Sequence, residues 1–93
     1  YVFVRVDLLK NDWSRDRIID EINKLGVPCF PGVCSEVYLE KAFDGLSFKP
    51  KERLKNAKEL GETSLMFLIH PNLLQSEIKK TCETLKSVLS IAV

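Results

Sequence analysis

The run "TSLMFLIH", residues 63–70, is the most hydrophobic stretch of the chain, and it decides how the chain folds. Apolar residues follow one another from Leu65 to Ile69, and Pro71 stops the run directly after His70. A short, continuous apolar run that ends at a proline is typical of a strand buried on both faces. We therefore expect a buried strand here, with other elements packed against it.

Two elements are predicted near the N-terminus. In residues 1–8, aliphatic residues at the even positions alternate with aromatic or charged residues at the odd positions, and this period of two favours a strand. Ser14 then has the chemistry of a helix N-cap, and Gly26 suits the position just after a helix C-terminus. A helix over residues 15–25 follows, because its apolar residues recur at helical spacing: Ile18, Ile19, Ile22 and Leu25.

The middle of the chain predicts shorter elements. "VPCF" at 27–30 is bounded by a proline and suits a short edge strand. "SEVYLEKAF" at 35–43 predicts a short helix, and "DGLSFKP" at 44–50 has the composition of a loop. An amphipathic surface helix is expected to follow, with Pro50 as its first residue.

The last element is a long helix that begins with a capping box between Asn72 and Gln75. Its predicted buried face, which we expect to fold back onto residues 65–69, consists of Ile78, Cys82, Leu85 and Leu89. The resulting order of strands and helices predicts an α/β fold, a two-layer α+β sandwich with a small sheet covered by helices.

Length and charge narrow the function. The chain has 93 residues, which suits a single domain over 1–93. With 14 basic and 13 acidic residues, it lacks the cationic excess of proteins dedicated to nucleic acids or membrane surfaces. No apolar run reaches the roughly 20 residues of a membrane helix. The three cysteines are an odd number, which favours a reducing cytoplasm over a disulfide framework. A strand pattern from residue 1, without an initiator Met, suggests a fragment of a longer protein.

The residues with reactive side chains do not form a recognisable motif. Cys29 and Cys34 lack the second ligand pair of a zinc site and the spacing of a redox pair, so small apolar roles in a turn are favoured. His70, the only histidine, and Cys82 are interpreted as structural. The basic run within "KPKERLKNAK" at 49–58 is interpreted as a solvated helix face because acidic residues interrupt it.

Four stretches nevertheless form a recognisable order: "YVFVRV" at 1–6, "SRDRIIDEINKLGVPC" at 14–29, "ERLKNAKELGETSLMFLIHP" at 52–71 and "NLLQSEIKKTCETL" at 72–85. Their order resembles the C-terminal small domain of the DegT-type sugar aminotransferases, which use pyridoxal phosphate and share the aspartate-aminotransferase-like fold. "GVPCFPGVCSEVYLEKAF" at 26–43 is similar to one subgroup of that family. Two positions depart from the pattern. Leu68 replaces a usual proline, which predicts a regular strand as far as His70, and Leu74 replaces the usual threonine N-cap, which moves the cap to a neighbour.

The resemblance implies a largely antiparallel or mixed small sheet and a longer parent enzyme. That enzyme would transfer an amino group from glutamate to a nucleotide-linked keto-sugar, in amino-sugar or cell-surface polysaccharide biosynthesis. Pyridoxal phosphate would be bound mainly outside this chain, with no catalytic, cofactor or metal residue inside it, so that the fragment alone is inactive. The implied partners are its own large domain and, in the full-length protein, a second copy in a homodimer.

The resemblance also implies that the segment after Gly26 returns toward the active-site mouth. The residues that it places on the substrate side are Phe30, Cys34, Ser35 and Glu36. The alternative to an aminotransferase fragment is a free-standing regulatory or protein-interaction α/β module.

Overall fold

A computed structural model describes residues 1–93 and arranges three strands in one antiparallel sheet of order β1-β3-β2. The strands are β1 (Val2–Phe3), β2 (Cys29–Phe30) and β3 (Ser64–Phe67). β3 lies in the centre, as expected for the most apolar run, and β2 lies at an edge, as its proline-bounded sequence predicts. Together with the helices below, this arrangement confirms the predicted two-layer α+β sandwich.

The helices are α1 (Arg15–Lys24), α2 (Lys55–Thr63) and α3 (Gln75–Ala92). α1 has the predicted ends: the Ser14 hydroxyl accepts the Arg17 N–H at 3.1 Å, and Gly26 has a φ of 82°. α1 packs against β2, β3 and α3. None of the helices is both long and apolar enough to cross a membrane.

The core lies between the sheet and the helices. Ile18 and Ile22 of α1 and Leu65 of β3 are fully buried in it. Cys29 is buried beside them at 1% exposure. The Asn23 side-chain amide accepts the Cys29 N–H and donates to the Cys29 carbonyl, both at 2.9 Å. The Asn23 amide therefore acts as a strand partner that attaches α1 to β2.

The predicted C-terminal ends of β1 and β3 are both wrong, because the residues opposite each strand end its pairing early. β1 ends early because α2 replaces its partner strand. Phe3 still pairs with Ser64 of β3, but the next bond runs from the Val4 N–H to the carbonyl of Thr63, the last residue of α2. Residues Val6–Leu8 form a 3₁₀ turn instead. β3 ends at Phe67, opposite Cys29, because the next position on β2 is Pro28, which has no N–H to donate. Beyond it, Leu68 and Ile69 are 54% and 87% exposed rather than buried.

Three helix predictions also need correction. The expected helix at 35–43 is two 3₁₀ turns, Val37–Leu39 and Lys41–Phe43, separated by extended backbone at Glu40. α2 begins at Lys55 rather than at Pro50. α3 begins at Gln75 with Leu74 at the N-cap position, and the Glu77 carboxylate accepts the Leu74 N–H at 2.7 Å.

The buried face of α3 differs from the predicted one. Leu85 and Leu89 contact the core, but the buried positions are Thr84, Val88 and Ala92. Ile78 and Cys82 are exposed. The difference arises because α3 packs mainly against α1 rather than across β3, so that its first turns lie beyond the core.

The second face of the sheet has no helix over it. Strand alternation places Phe3 and Phe30 on this face, opposite Ser64 and Met66 of β3. Both phenylalanines are substantially exposed, at 52% and 41%. The molecule is only 17 Å across its shortest axis, and its radius of gyration is 16.1 Å. A compact domain of this length has a radius near about 12 Å, so the chain is flat. The sheet face is covered at Ser64 by the chain at Pro31 and is otherwise without a helix layer, and we call it the open sheet face.

Candidate functional site

The candidate site is the segment Pro31–Glu36, "PGVCSE", which leaves the end of β2 and is held at both ends. At its first end, the Pro31 carbonyl accepts the Ser64 hydroxyl at 2.6 Å and Arg15 Nη1 at 3.3 Å. Ser64 is the first residue of the central strand, and Arg15 is the first of α1. The core therefore fixes this end of the segment directly.

Arg15 joins the segment to two further elements. Its Nη1 also approaches the carbonyls of Gly61 and Ser64, both at 3.1 Å, while its Nε pairs with Asp16 at 2.6 Å. The side chain is only 16% exposed. All three carbonyls lie within reach of Nη1, which carries two hydrogens, so at least one N–H is shared between two carbonyls at this junction.

Gly32 allows the chain to turn away from β2. Its φ of 99° is a conformation that side chains rarely adopt. A Cβ here would also lie 3.0 Å from Ser64 Oγ and 3.2 Å from the Tyr1 ring. Both conditions favour glycine at this position.

The second end is held by what we call the Glu36 clasp, formed by Glu36, Tyr38, Arg53 and Leu54. Arg53 donates to both carboxylate oxygens of Glu36, Nε at 2.6 Å and Nη2 at 2.7 Å. The Tyr38 hydroxyl donates to Glu36 Oε1 at 2.9 Å and accepts the Leu54 N–H at 2.7 Å. The clasp thus ties the segment to Leu54, the N-cap residue of α2, which has no capping side chain of its own.

These contacts set the protonation of the clasp. The hydrogen bonds from Arg53 hold the pKa of Glu36 at about 2, against an ordinary value of 4.5, and partial burial opposes that shift. The pKa of Tyr38 is raised, first because it is desolvated and also because it donates to the Glu36 carboxylate. At neutral pH, Glu36 is therefore an ionised anchor that keeps its partners' hydrogens directed at it.

We expect the clasp to open in acid. Because the folded-state pKa of Glu36 is lowered, its stabilising contribution is complete above about pH 4.5 and is lost as the pH falls through about 2. An NMR titration of the Glu36 carboxyl carbon should show this low midpoint in the wild type. In Arg53→Met, the midpoint should return most of the way to 4.5, since Arg53 is the main cause of the shift. A wild-type midpoint near 4.5 would mean that the clasp is not formed in solution.

Between its two ends, the segment presents small and apolar groups to solvent. Val33 is 73% exposed, and Cys34 and Ser35 are also exposed. The Cys34 thiol lies 3.5 Å from the Glu40 carboxylate. Ser35 touches α2 so closely that a Cβ on Gly61 would overlap its hydroxyl. The exposed part of the segment thus consists of short side chains, and the long side chains that hold it act at its two ends.

The four residues placed on the substrate side by the family resemblance do not share one environment. Ser35 contributes to an apolar groove of about 250 Å³, whose other walls are Tyr1, Phe3, Val33, Leu60 and Ser64. Phe30 lies on the open sheet face, and Cys34 is exposed beside the Glu40 carboxylate. Glu36 is engaged in the clasp, with its side chain 14% exposed.

The other residues with reactive side chains lie elsewhere. Cys29 is a core residue, and its burial raises the pKa of its thiol. Cys82 is exposed on α3. His70 lines a groove of about 260 Å³ between the α1–β2 turn and the start of α3, together with Lys80. No group of three or more His, Cys, Asp or Glu residues is arranged to hold a metal ion.

Sequence reasoning missed the residues that hold the segment in place. Arg15, Tyr38 and Arg53 carry no local signal, because each hydrogen-bonds to a residue that is distant in the chain. Glu36 and Arg53 are separated by 17 positions, and Arg15 and Ser64 by 49. Arg53 lies in the basic run "KPKERLKNAK", and the sequence of that run predicts only a solvated charge at this position.

Comparisons with known proteins give one close structural relative. No protein-family model matches the chain, and no curated protein matches it. A solved structure described as the X-ray structure of the aminotransferase from Psychrobacter cryohalolentis is 58% identical over 97% of this chain, with a TM-score of 0.87. The match covers 23% of that structure's chain, so the present chain spans about a quarter of its length. The 93 residues thus share sequence and fold with part of an aminotransferase.

Proposed function

We propose that the chain is the C-terminal domain of a longer, cytoplasmic aminotransferase of the DegT type. The observation that carries the proposal is the 58% identity over 97% of the chain to part of an aminotransferase. Because the identity is this high, we expect the parent protein to share the chemistry of its relative, which similarity of fold alone would not support. The order of sequence stretches described above supports the DegT type in particular.

The proposed reaction moves an amino group from glutamate to the keto carbon of a nucleotide-linked sugar, leaving 2-oxoglutarate and an amino sugar. In such enzymes, pyridoxal phosphate supplies the electron sink and the protein supplies orientation. We propose that the cofactor is bound mainly outside this chain, since no lysine here is buried.

The open sheet face supports the proposed large-domain partner. Phe3 and Phe30 lie on it, and Tyr1 is 61% exposed beside them. Clustered exposed apolar side chains of this kind mark an interaction surface. We propose that the large domain of the same protein covers this face. That contact places the 31–36 segment at the boundary between the two domains, facing the sugar acceptor, in a full-length protein that we expect to be a homodimer.

Transfer of isotope tests the proposed function. The longer protein that carries this chain, supplied with pyridoxal phosphate, [¹⁵N]glutamate and nucleotide-linked keto-sugars, should yield ¹⁵N-labelled amino sugar, detected by mass spectrometry. A parent protein without amino transfer to any keto-sugar of this class would overturn the proposal. Omission of glutamate provides the control for background amination.

A second candidate is a protein-interaction module, and the same open sheet face favours it. Here the apolar face would bind a separate protein rather than a covalently attached domain. Hydroxyl-radical footprinting of Phe3 and Phe30 in the longer protein separates the two candidates, because an attached large domain protects these side chains, whereas a face kept for a separate protein leaves them reactive.

A further inference from the structure

We propose that the Glu36 clasp positions the 31–36 segment for the sugar acceptor, so that Glu36 and Arg53 act as positioning residues for the acceptor half of the reaction. This inference rests on the proposed function. It assigns to two surface side chains a role in acceptor selectivity that does not require them to touch the reacting atoms.

The geometry leaves the segment little freedom. The Pro31 carbonyl is fixed by Ser64 and Arg15, and the Glu36 carboxylate is fixed by three hydrogen bonds from two side chains. Only residues 32–35 lie between these two ends, and they include the exposed Val33, Cys34 and Ser35. A loop whose ends are fixed in the free protein loses less conformational entropy when it binds a ligand.

The clasp is placed so that its loss changes the loop more than the fold. Arg53 precedes α2 and is half exposed, and no residue of the clasp belongs to the buried core. Because Arg53 is half exposed, solvent screens the pair and limits its contribution to global stability, although the Glu36 side chain is only 14% exposed. A bidentate pair between residues 17 positions apart, however, determines where the intervening chain lies.

The direction of the effect follows from the two halves of an aminotransferase reaction. In the proposed function, the amino donor and the sugar acceptor react in turn at one site, and the inference requires that only the larger acceptor extends to the 31–36 segment. Loosening the segment should therefore weaken the acceptor half-reaction and spare the donor half-reaction. A merely structural role would reduce both halves together.

The test uses the longer enzyme with Arg53→Met, Glu36→Gln and the reversed pair Glu36→Arg/Arg53→Glu. Arg5→Met is the control, because Arg5 also makes a bidentate pair, with Asp7 at 3.0 and 2.7 Å, which is more exposed than the clasp and lies away from the segment. Hydrogen exchange of residues 32–35 reports the loop, and single-turnover rates with glutamate and with the keto-sugar report the two halves.

We expect Arg53→Met and Glu36→Gln to raise amide exchange in the segment about tenfold, as local opening becomes easier. The single-turnover rate with the keto-sugar should fall about tenfold, while the rate with glutamate stays within about twofold. The reversed pair should recover much of both losses, and Arg5→Met should show neither. Equal falls in both half-reactions, or unchanged exchange, would overturn the inference. A wild-type enzyme that fails in both halves would overturn the proposed function, and this inference with it.

Discussion

Replacing Leu65 with alanine should lower the free energy of unfolding by about 2–5 kcal/mol, the usual cost of truncating a buried leucine. Leu65 is fully buried in the central strand and is packed with Ile18 and Ile22 of α1. The cavity left by the substitution would lie where the sheet and the helix layer meet. For a small domain with a total stability of about 5–15 kcal/mol, this is a large share.

Ile69→Ala is the matched control, since it removes an aliphatic side chain from the same apolar run. Ile69 is 87% exposed and should tolerate alanine within about 0.5 kcal/mol. Urea denaturation of the two variants beside the wild type gives both values. Equal losses would mean that the run is buried throughout, as the sequence alone suggests, and that the observed end of β3 at Phe67 is wrong.

Arg15→Met should cost about 1–3 kcal/mol, the range for leaving hydrogen-bonding groups without partners in a folded protein. The substitution keeps most of the aliphatic stem but removes the donors to the carbonyls of Pro31, Gly61 and Ser64. Because the Arg15 side chain is only 16% exposed, water replaces these donors poorly. The junction of β2, α2 and β3 should loosen with it.

Arg17→Met, on the same helix, separates this junction effect from the general loss of a charge. Arg17 is 43% exposed, pairs with Asp12 and lies over the Trp13 ring at 4.4 Å. Exposed pairs and cation–π contacts each contribute about 1 kcal/mol or less. Thermal unfolding should rank Arg15→Met as clearly the less stable. An equal or reversed ranking would contradict the role assigned to Arg15.

The sequence predicted α1 well because its signals are local. Ser14, Gly26 and the isoleucine spacing act within the helix itself, and no distant residue alters them. The ends of the strands could not be predicted in this way. Those limits depend on what lies opposite: the end of α2 at Thr63 stops β1, and Pro28 stops β3. Pairing across the sheet is a tertiary property that the strand's own residues do not carry.

The candidate site shows the same division. The resemblance directed attention to residues 30–36, and the glycine and proline content indicated a shaped loop. The contacts that hold this loop could not be predicted from the sequence, because the Glu36 clasp joins positions 17 apart and the Pro31 carbonyl bonds residues 16 and 33 positions away. An arginine in a basic run gives no sign of whether it is solvated or engaged in a bidentate pair.

The central claim is that the 31–36 segment faces the acceptor of an aminotransferase, and the reactivity of Cys34 tests it most directly. The exposed thiol lies within the segment, the exposed Cys82 on α3 is a built-in reference, and the buried Cys29 should not react. Iodoacetamide modification of the longer enzyme would be followed at each cysteine by peptide mass spectrometry, with and without saturating nucleotide-linked keto-sugar. We predict that the acceptor slows modification of Cys34 severalfold and leaves Cys82 unchanged. Modification of Cys34 at the same rate with and without the acceptor would contradict the claim.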